Sequence, residues 1–248
     1  MRLRLFLLLL APALLLAALA CSSDDGATIS AGGTLLYDIP WTVPEMTTYR
    51  LMRDDDELGR AELSISCNAG STTLSRSCVF EQSFGFPTRS ITDIVQVNAD
   101  AETLAPSKVS RVVNGPDGRR TWDVTYDASR VTVVQEDEDD ERTDTIDIPK
   151  TSYDTWTDLF LWRTLDFKEG YEVKYEAAVT ADFTKPDVIS IVLKVTGLET
   201  VTVPAGTFEA WRLEIRSGGR TQKAWIANDD ERTLVRYDNT ELVFELEE

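Results

Sequence analysis

Alternation with a period of two runs through most of the chain. In Tyr171, Val173, Tyr175, Ala177 and Val179 the apolar members are separated by Glu172, Lys174, Glu176, Ala178 and Thr180. In Leu242, Phe244 and Leu246 they are separated by Val243 and Glu245. Strands with one buried and one wet face read this way. Similar runs lie near residues 34–43, 46–53, 59–68, 72–82, 91–98, 107–114, 119–126, 129–136, 142–148, 187–203, 207–216, 221–227 and 232–238. Turn residues fall between them: Gly115-Pro116-Asp117-Gly118, Ser217-Gly218-Gly219, Asn228-Asp229-Asp230 and Asp238-Asn239. In Val203-Pro204-Ala205-Gly206, Pro204 presets φ at the first turn position and Gly206 supplies a positive φ. The pattern predicts a mainly all-β fold, an antiparallel meander of long strands. One stretch departs from it. Residues 153–164, YDTWTDLFLWRT, repeat Trp156, Leu159, Phe160 and Arg163 at helical spacing, with Ser152 or Asp154 placed to cap a short helix.

The first residues follow a different logic. Arg2 and Arg4 precede an apolar run from Leu5 to Ala20, and Ala18, Leu19 and Ala20 lead to Cys21. This is the layout of a secretory signal ending at a lipidated cysteine, although the order of Ala18 and Leu19 departs from the usual Leu-then-Ala. The competing readings are plain signal cleavage without a lipid and a retained membrane helix; the latter needs about 20 apolar residues, and this run is shorter and interrupted by Pro12. The predicted organisation is a signal peptide at 1–20, a lipidated Cys21 with a flexible polar tether through residue 33, and one β domain at 34–248. The expected location is the bacterial cell envelope, exported and lipid-anchored, on the periplasmic or outer face.

Composition narrows the chemistry. The formal net charge is −18, and loss of Arg2 and Arg4 with the leader makes it more negative by two. Nucleic-acid binding draws on clustered Lys and Arg, so nucleic acid is not an expected partner. The chain has no histidine. That removes Ser-His-Asp and Cys-His nucleophiles, a His general base and His-ligated metal sites. It also carries no G-x-S-x-G, P-loop or G-x-G-x-x-G. No catalytic residue, cofactor or metal is predicted, and the expectation is a protein that is not an enzyme. The acidic runs 135–141 and 54–57 lack the Gly and ligand spacing of a calcium loop, and read as solvated hairpin tips. With Cys21 assigned to lipid, Cys67 and Cys78 remain in an oxidising compartment, on the same phase of consecutive strands. A disulfide closing the loop between them is predicted; buried free thiols are the alternative.

From Tyr153 onward, WRTLDFKEG, VTGLETVTVPAGTFEAWRLEI and KAWIANDDERTLVRYD follow one another in an order that resembles a bacterial family of exported proteins, domain-of-unknown-function family 3108. Residues 93–113, DIVQVNADAETLAPSKVSRVV, are similar to that family's earlier half. The stretch from Trp41 to Asp56 and the acidic hairpin at 135–148 fall outside the likeness. The resemblance implies a large curved antiparallel sheet, a half-barrel with one short helix as cover, similar in shape to the lipoprotein carriers LolA and LolB. It implies no catalytic residues.

The candidate ligand site is the aromatic segment, with Trp156, Leu159, Phe160, Trp162, Arg163 and Phe167, and Leu165 among them, as a lid over the concave face. These side chains offer more apolar surface than one short helix stripe can bury. The alternative is that they plug the half-barrel and fill its core. Three functional readings follow. The first is a membrane-anchored carrier for a lipid or other apolar ligand or a partner segment. The second is a structural or interaction module of the envelope with a filled core. The third is a carboxylate-based hydrolase with two acids on facing strands.

Overall fold

In a computed structural model the described residues are 27–28, 35–68, 71–82 and 89–248. The strands are β1 (Ala27–Thr28), β2 (Glu45–Arg53), β3 (Asp56–Asn68), β4 (Ser71–Gln82), β5 (Arg89–Asp100), β6 (Pro106–Gly115), β7 (Gly118–Asp127), β8 (Arg130–Glu136), β9 (Glu141–Asp147) and β10 (Tyr153–Asp154). After a short helical segment come β11 (Glu172–Val179), β12 (Asp187–Val203), β13 (Gly206–Ser217), β14 (Arg220–Ala227), β15 (Leu234–Asp238) and β16 (Val243–Leu246). The predicted runs match these strands to within a few residues, with one exception. Of the stretch 34–43, the described residues are not a strand: residues 35–44 run without ladder partners, and Tyr37 and Asp38 donate their backbone N–H groups to the Thr164 carbonyl.

All sixteen strands belong to one open sheet, in the order β1-β11-β12-β13-β14-β15-β16-β2-β3-β4-β5-β6-β7-β8-β9, with β10 pairing β11 beside that path. The long neighbours are antiparallel, as the alternation requires. The short β1 and β10 pair β11 in parallel, so the sheet is mixed at that edge rather than wholly antiparallel. The two halves of the chain are separate meanders, β2 to β9 and β11 to β16, joined by β16 lying antiparallel to β2.

Turn chemistry sets the registers. Two-residue loops close β6–β7, β12–β13 and β13–β14. Gly218 and Gly219 occupy φ of +55° and +80°, the mirror-image turn that matches strand twist. The acidic run is a hairpin tip, where Asp137 Oδ1 accepts from the amides of Asp139 and Asp140 at 3.1 and 3.0 Å. In a meander alternate turns share an end. The turns at 53–56, 115–118, 136–141, 217–220 and 238–243, and the segment after β11, therefore lie together at what we call the mouth. The turns at 100–106, 203–206 and 227–234 lie at the base.

The inward phases form one apolar core spanning both meanders, from Leu51, Ile65 and Val97 to Leu193, Leu213 and Phe244. The predicted disulfide is overturned by register. Cys67 stands opposite Thr72, whereas Cys78 stands opposite Ala61. Six residues along a ladder is about 20 Å at roughly 3.3 Å per residue, far beyond the Cα separation of up to about 6.8 Å that a disulfide bridges. Sequence phase places two residues on one face; it does not make them neighbours. Cys67 is a free, exposed thiol whose Sγ lies 3.1 Å from Thr72 Oγ1.

Candidate functional site

The linker between the two meanders turns inward. It does not form the continuous helix predicted for 153–164. A four-residue α-helix, α1 (Asp158–Leu161), is flanked by 3-10 turns at Thr155–Thr157 and Trp162–Thr164. Asp154 caps the start, its Oδ1 accepting from the Trp156 amide at 2.9 Å. Phe160, Leu161, Trp162 and Leu165 are all but completely buried. This burial makes the segment a plug in the core rather than a lid above it.

Polar anchors hold the plug at both ends. At its start, Asp154 Oδ2 accepts from the hydroxyls of Tyr126 on β7 and Thr180. Tyr153 donates to the Thr103 carbonyl at the base. At its end, Arg163 grips Glu45 with both Nη atoms at 2.5 and 3.0 Å and donates to the carbonyls of Arg232 and Glu231. Its guanidinium also lies 5.2 Å from the Trp41 ring centre. The Arg163 end is thus fastened at the base, whereas Asp154 sits beside Ala178 and Thr180 at the outgoing end of β11, and Trp156 lies at the cavity that opens toward the mouth. Between them, the Tyr175 hydroxyl donates to Asp158 Oδ1 at 2.8 Å and accepts from Trp162 Nε1 at 3.0 Å. Burial pushes the Asp154 carboxyl up to about 6, against hydrogen bonds that lower it, and pushes Asp158 well above the usual carboxylate range.

Above this bend a cavity of about 380 Å³ opens toward the mouth. Trp156, Leu159 and Phe160 form its floor, and Ile189, Ile191 and Ile215 of β12 and β13 form its wall. Three of the predicted residues therefore meet at one cavity. Trp162, Arg163 and Phe167 do not. Trp162 and Arg163 are locked into the packing described above, and Phe167 stacks on Trp211 with ring centres 6.1 Å apart. Cys21 lies outside the described residues. Among the described residues no group of three or more acidic or thiol side chains is placed to hold a metal. No described helix is long and apolar enough to cross a membrane.

A second cavity, of about 430 Å³, lies beneath the β6–β7 hairpin. Arg111 forms the partition between the two. Its guanidinium is 4.8 Å from the Trp156 ring centre and 5.1 Å from that of Phe183. Both ends of its fork engage Asp93 at 2.9 Å, and Nη1 donates to the Ala181 carbonyl at 2.8 Å. Neither residue is among those the sequence pattern singles out for a site. The signal was present: Asp93 interrupts the inward phase of Ile91, Val95 and Val97, and Arg111 that of Val109 and Val113. Opposite charges on the inward phase of adjacent strands mark a buried ion pair.

The fold and site define an all-β chain whose single open sheet is plugged by its own linker and cavitied at the mouth. The chain belongs to the family described as protein of unknown function DUF3108, whose model matches residues 72–244. That match runs from β4 to β16 and leaves out β2 and β3, which nevertheless lie between β16 and β4 in the sheet. No curated protein matches the chain. A crystal structure from Bacteroides fragilis, described as an exported protein with a YmcC-like fold, is similar at 13% identity, covering 87% of this chain and 98% of that one, with a TM-score of 0.26.

Proposed function

We propose that this protein is a non-enzymatic binding protein of the cell envelope, lipid-anchored at Cys21, that shelters an apolar ligand in the cavity above the plug. The observation that carries the reading is that cavity. Isoleucines of the sheet and aromatics of the plug face one another across about 380 Å³, within the size range of small-molecule sites. Polar groups gather at its outer end, among them Asp182, Arg220 and Gln222, as suits a ligand that is apolar inside and hydrated at its exit. The near-complete burial of Phe160, Leu161, Trp162 and Leu165 favours a second reading, an envelope interaction module whose core is simply filled.

An uncharged apolar fluorophore, N-phenylnaphthylamine, separates the two. The chain from residue 21 onward carrying Cys21→Ser contains every described residue and dispenses with the lipid. Saturable fluorescence enhancement is expected, weakened about tenfold or more by Ile215→Phe, whose larger ring projects into the cavity. Absence of saturable enhancement in the unsubstituted cavity supports the filled module and sinks the carrier. Anchoring is tested separately in whole cells. The full chain should incorporate labelled palmitate and partition into detergent, and Cys21→Ser should do neither; unchanged partitioning would overturn the anchor.

A further inference from the structure

The second cavity differs in chemistry from the one above the plug. The protein is strongly acidic, with a formal charge of −18, yet this cavity gathers three guanidinium groups, Arg53, Arg111 and Arg120, against two carboxylates, Asp93 and Asp117. Arg111 and Asp93 neutralise each other as a rigid, nearly buried pair. What remains is Arg53 and Arg120 against the single carboxylate of Asp117, an excess of one positive charge. Arg120 Nε is 3.9 Å from Asp137, a contact too long for a strong hydrogen bond. Arg53 Nε reaches the Glu241 carbonyl at 3.4 Å. Arg53 is exposed and Arg120 partly so, and neither is committed to the core.

The rest of the lining includes the apolar side chains Ile91, Val113, Leu242 and Phe183. Phe183 is half exposed, unusual for a large aromatic ring, and packs edge-on against Trp122 at 5.2 Å. Arg120 lies 5.4 Å from the Phe183 ring centre, so the cation sits beside the apolar surface it would serve. The roof is the β6–β7 hairpin. Gly118 there has φ of +101°, and a Cβ on it would meet Glu138 Oε1 at 2.8 Å. The Glu138 side chain thus packs against the roof at Gly118.

We propose that this cavity is a second binding site, for a small anionic amphiphile: a carboxylate or phosphate head held between Arg53 and Arg120, with an alkyl chain laid along Phe183, Ile91 and Leu242. Guanidinium forks match both head groups bidentately. The volume of about 430 Å³ is within the range of small-molecule sites. The site stands apart from the cavity above the plug, and its test is arranged to tell the two apart.

Calorimetric titration of the Cys21→Ser chain with dodecanoate, dodecyl phosphate, dodecanol and dodecyltrimethylammonium, each below its micellar concentration, tests the proposal. At least one anion should bind about tenfold or more tighter than the alcohol and the cation. That preference should shrink in high salt, because rim charges are screened within about 10 Å at 0.1 M. Which anion binds better distinguishes a fatty-acid source from a phosphate-bearing lipid. Arg53→Gln with Arg120→Gln should abolish the preference; both are rim residues and Arg111 is left intact, so the fold is preserved. Ile215→Phe should leave anion binding unchanged. Equal binding of alcohol and anion, or an anion preference that survives the double Arg substitution, overturns the proposal. Loss of anion binding in Ile215→Phe alone would place the ligand above the plug, overturning the second site while sparing the first.

Discussion

Asp154 is a carboxyl group sealed from solvent and surrounded by three donors: the Tyr126 and Thr180 hydroxyls and the Trp156 amide. The donors favour the charged form and burial disfavours it, and burial wins, raising the folded-state value from 3.8 to about 6. The native state therefore holds a proton that the unfolded chain has already lost between those values. Stability is fully present below about pH 3.8 and is lost as pH rises toward 6, by at most roughly 3 kcal/mol. Asp158 shifts in the same direction, so the whole protein superimposes the two. Asp154→Asn isolates the first. Urea unfolding at a series of pH values should show the gap between the parent protein and Asp154→Asn narrowing as pH falls from about 6 to about 4, where the neutral carboxyl and the amide become alike in charge. A gap independent of pH across that window would show that Asp154 is ionised throughout.

At the scale of elements, the linker is where local signals and tertiary packing part company. Apolar spacing in 153–164 favours a helix, but only Asp158–Leu161 completes an α-helical turn. The remainder bends so that Asp154 can reach Tyr126 and Arg163 can reach Glu45, contacts between distant strands that no local pattern encodes. The strands were legible because a half-buried strand writes its period into its own residues, as β5 does with Val95, Val97 and Ala99 inward. Cys67 and Cys78 share a phase but not a register, and phase alone does not make two residues neighbours. Both points are measurable. Phe160→Ala should cost about 3–5 kcal/mol, since the ring is only 2% exposed and its removal leaves a hole under the plug; a loss below about 1 kcal/mol would mean that the segment covers the sheet loosely. Cys67 should alkylate completely in native, unreduced protein. Protection of Cys67 in the absence of reductant would mean a mixed or intermolecular disulfide.

For the whole molecule, the weakest joint is also the one that makes it a single sheet. Among the described residues, the ladder from one meander to the other passes through β16, four residues long, which pairs Val243 with Met52 and Leu246 with Tyr49. Phe244 packs there between Tyr49 and Tyr237, with ring centres 6.4 and 5.6 Å away. Glu245 pairs with Arg50 at 2.6 Å, across 195 residues of sequence. Without β16, β15 and β2 would stand roughly two strand spacings apart, about 9.6 Å, each with an open edge over the same apolar core. A chain ending at Asn239 should therefore lose its single cooperative unfolding transition and expose Tyr49 and Leu51 to an apolar dye. A chain ending at Leu246 keeps the ladder and forfeits the two backbone bonds of Thr48 with Glu247 and Glu248 and the exposed Arg60–Glu247 ion pair, so its urea midpoint should move far less than that of the Asn239-terminated chain. Because the seam closes only when the last strand meets the first long one, refolding should be slow, in the manner of sheets dominated by distant pairings. An Asn239-terminated chain that unfolds in one transition with the parent's urea dependence would show that the two meanders are held together by the plug alone.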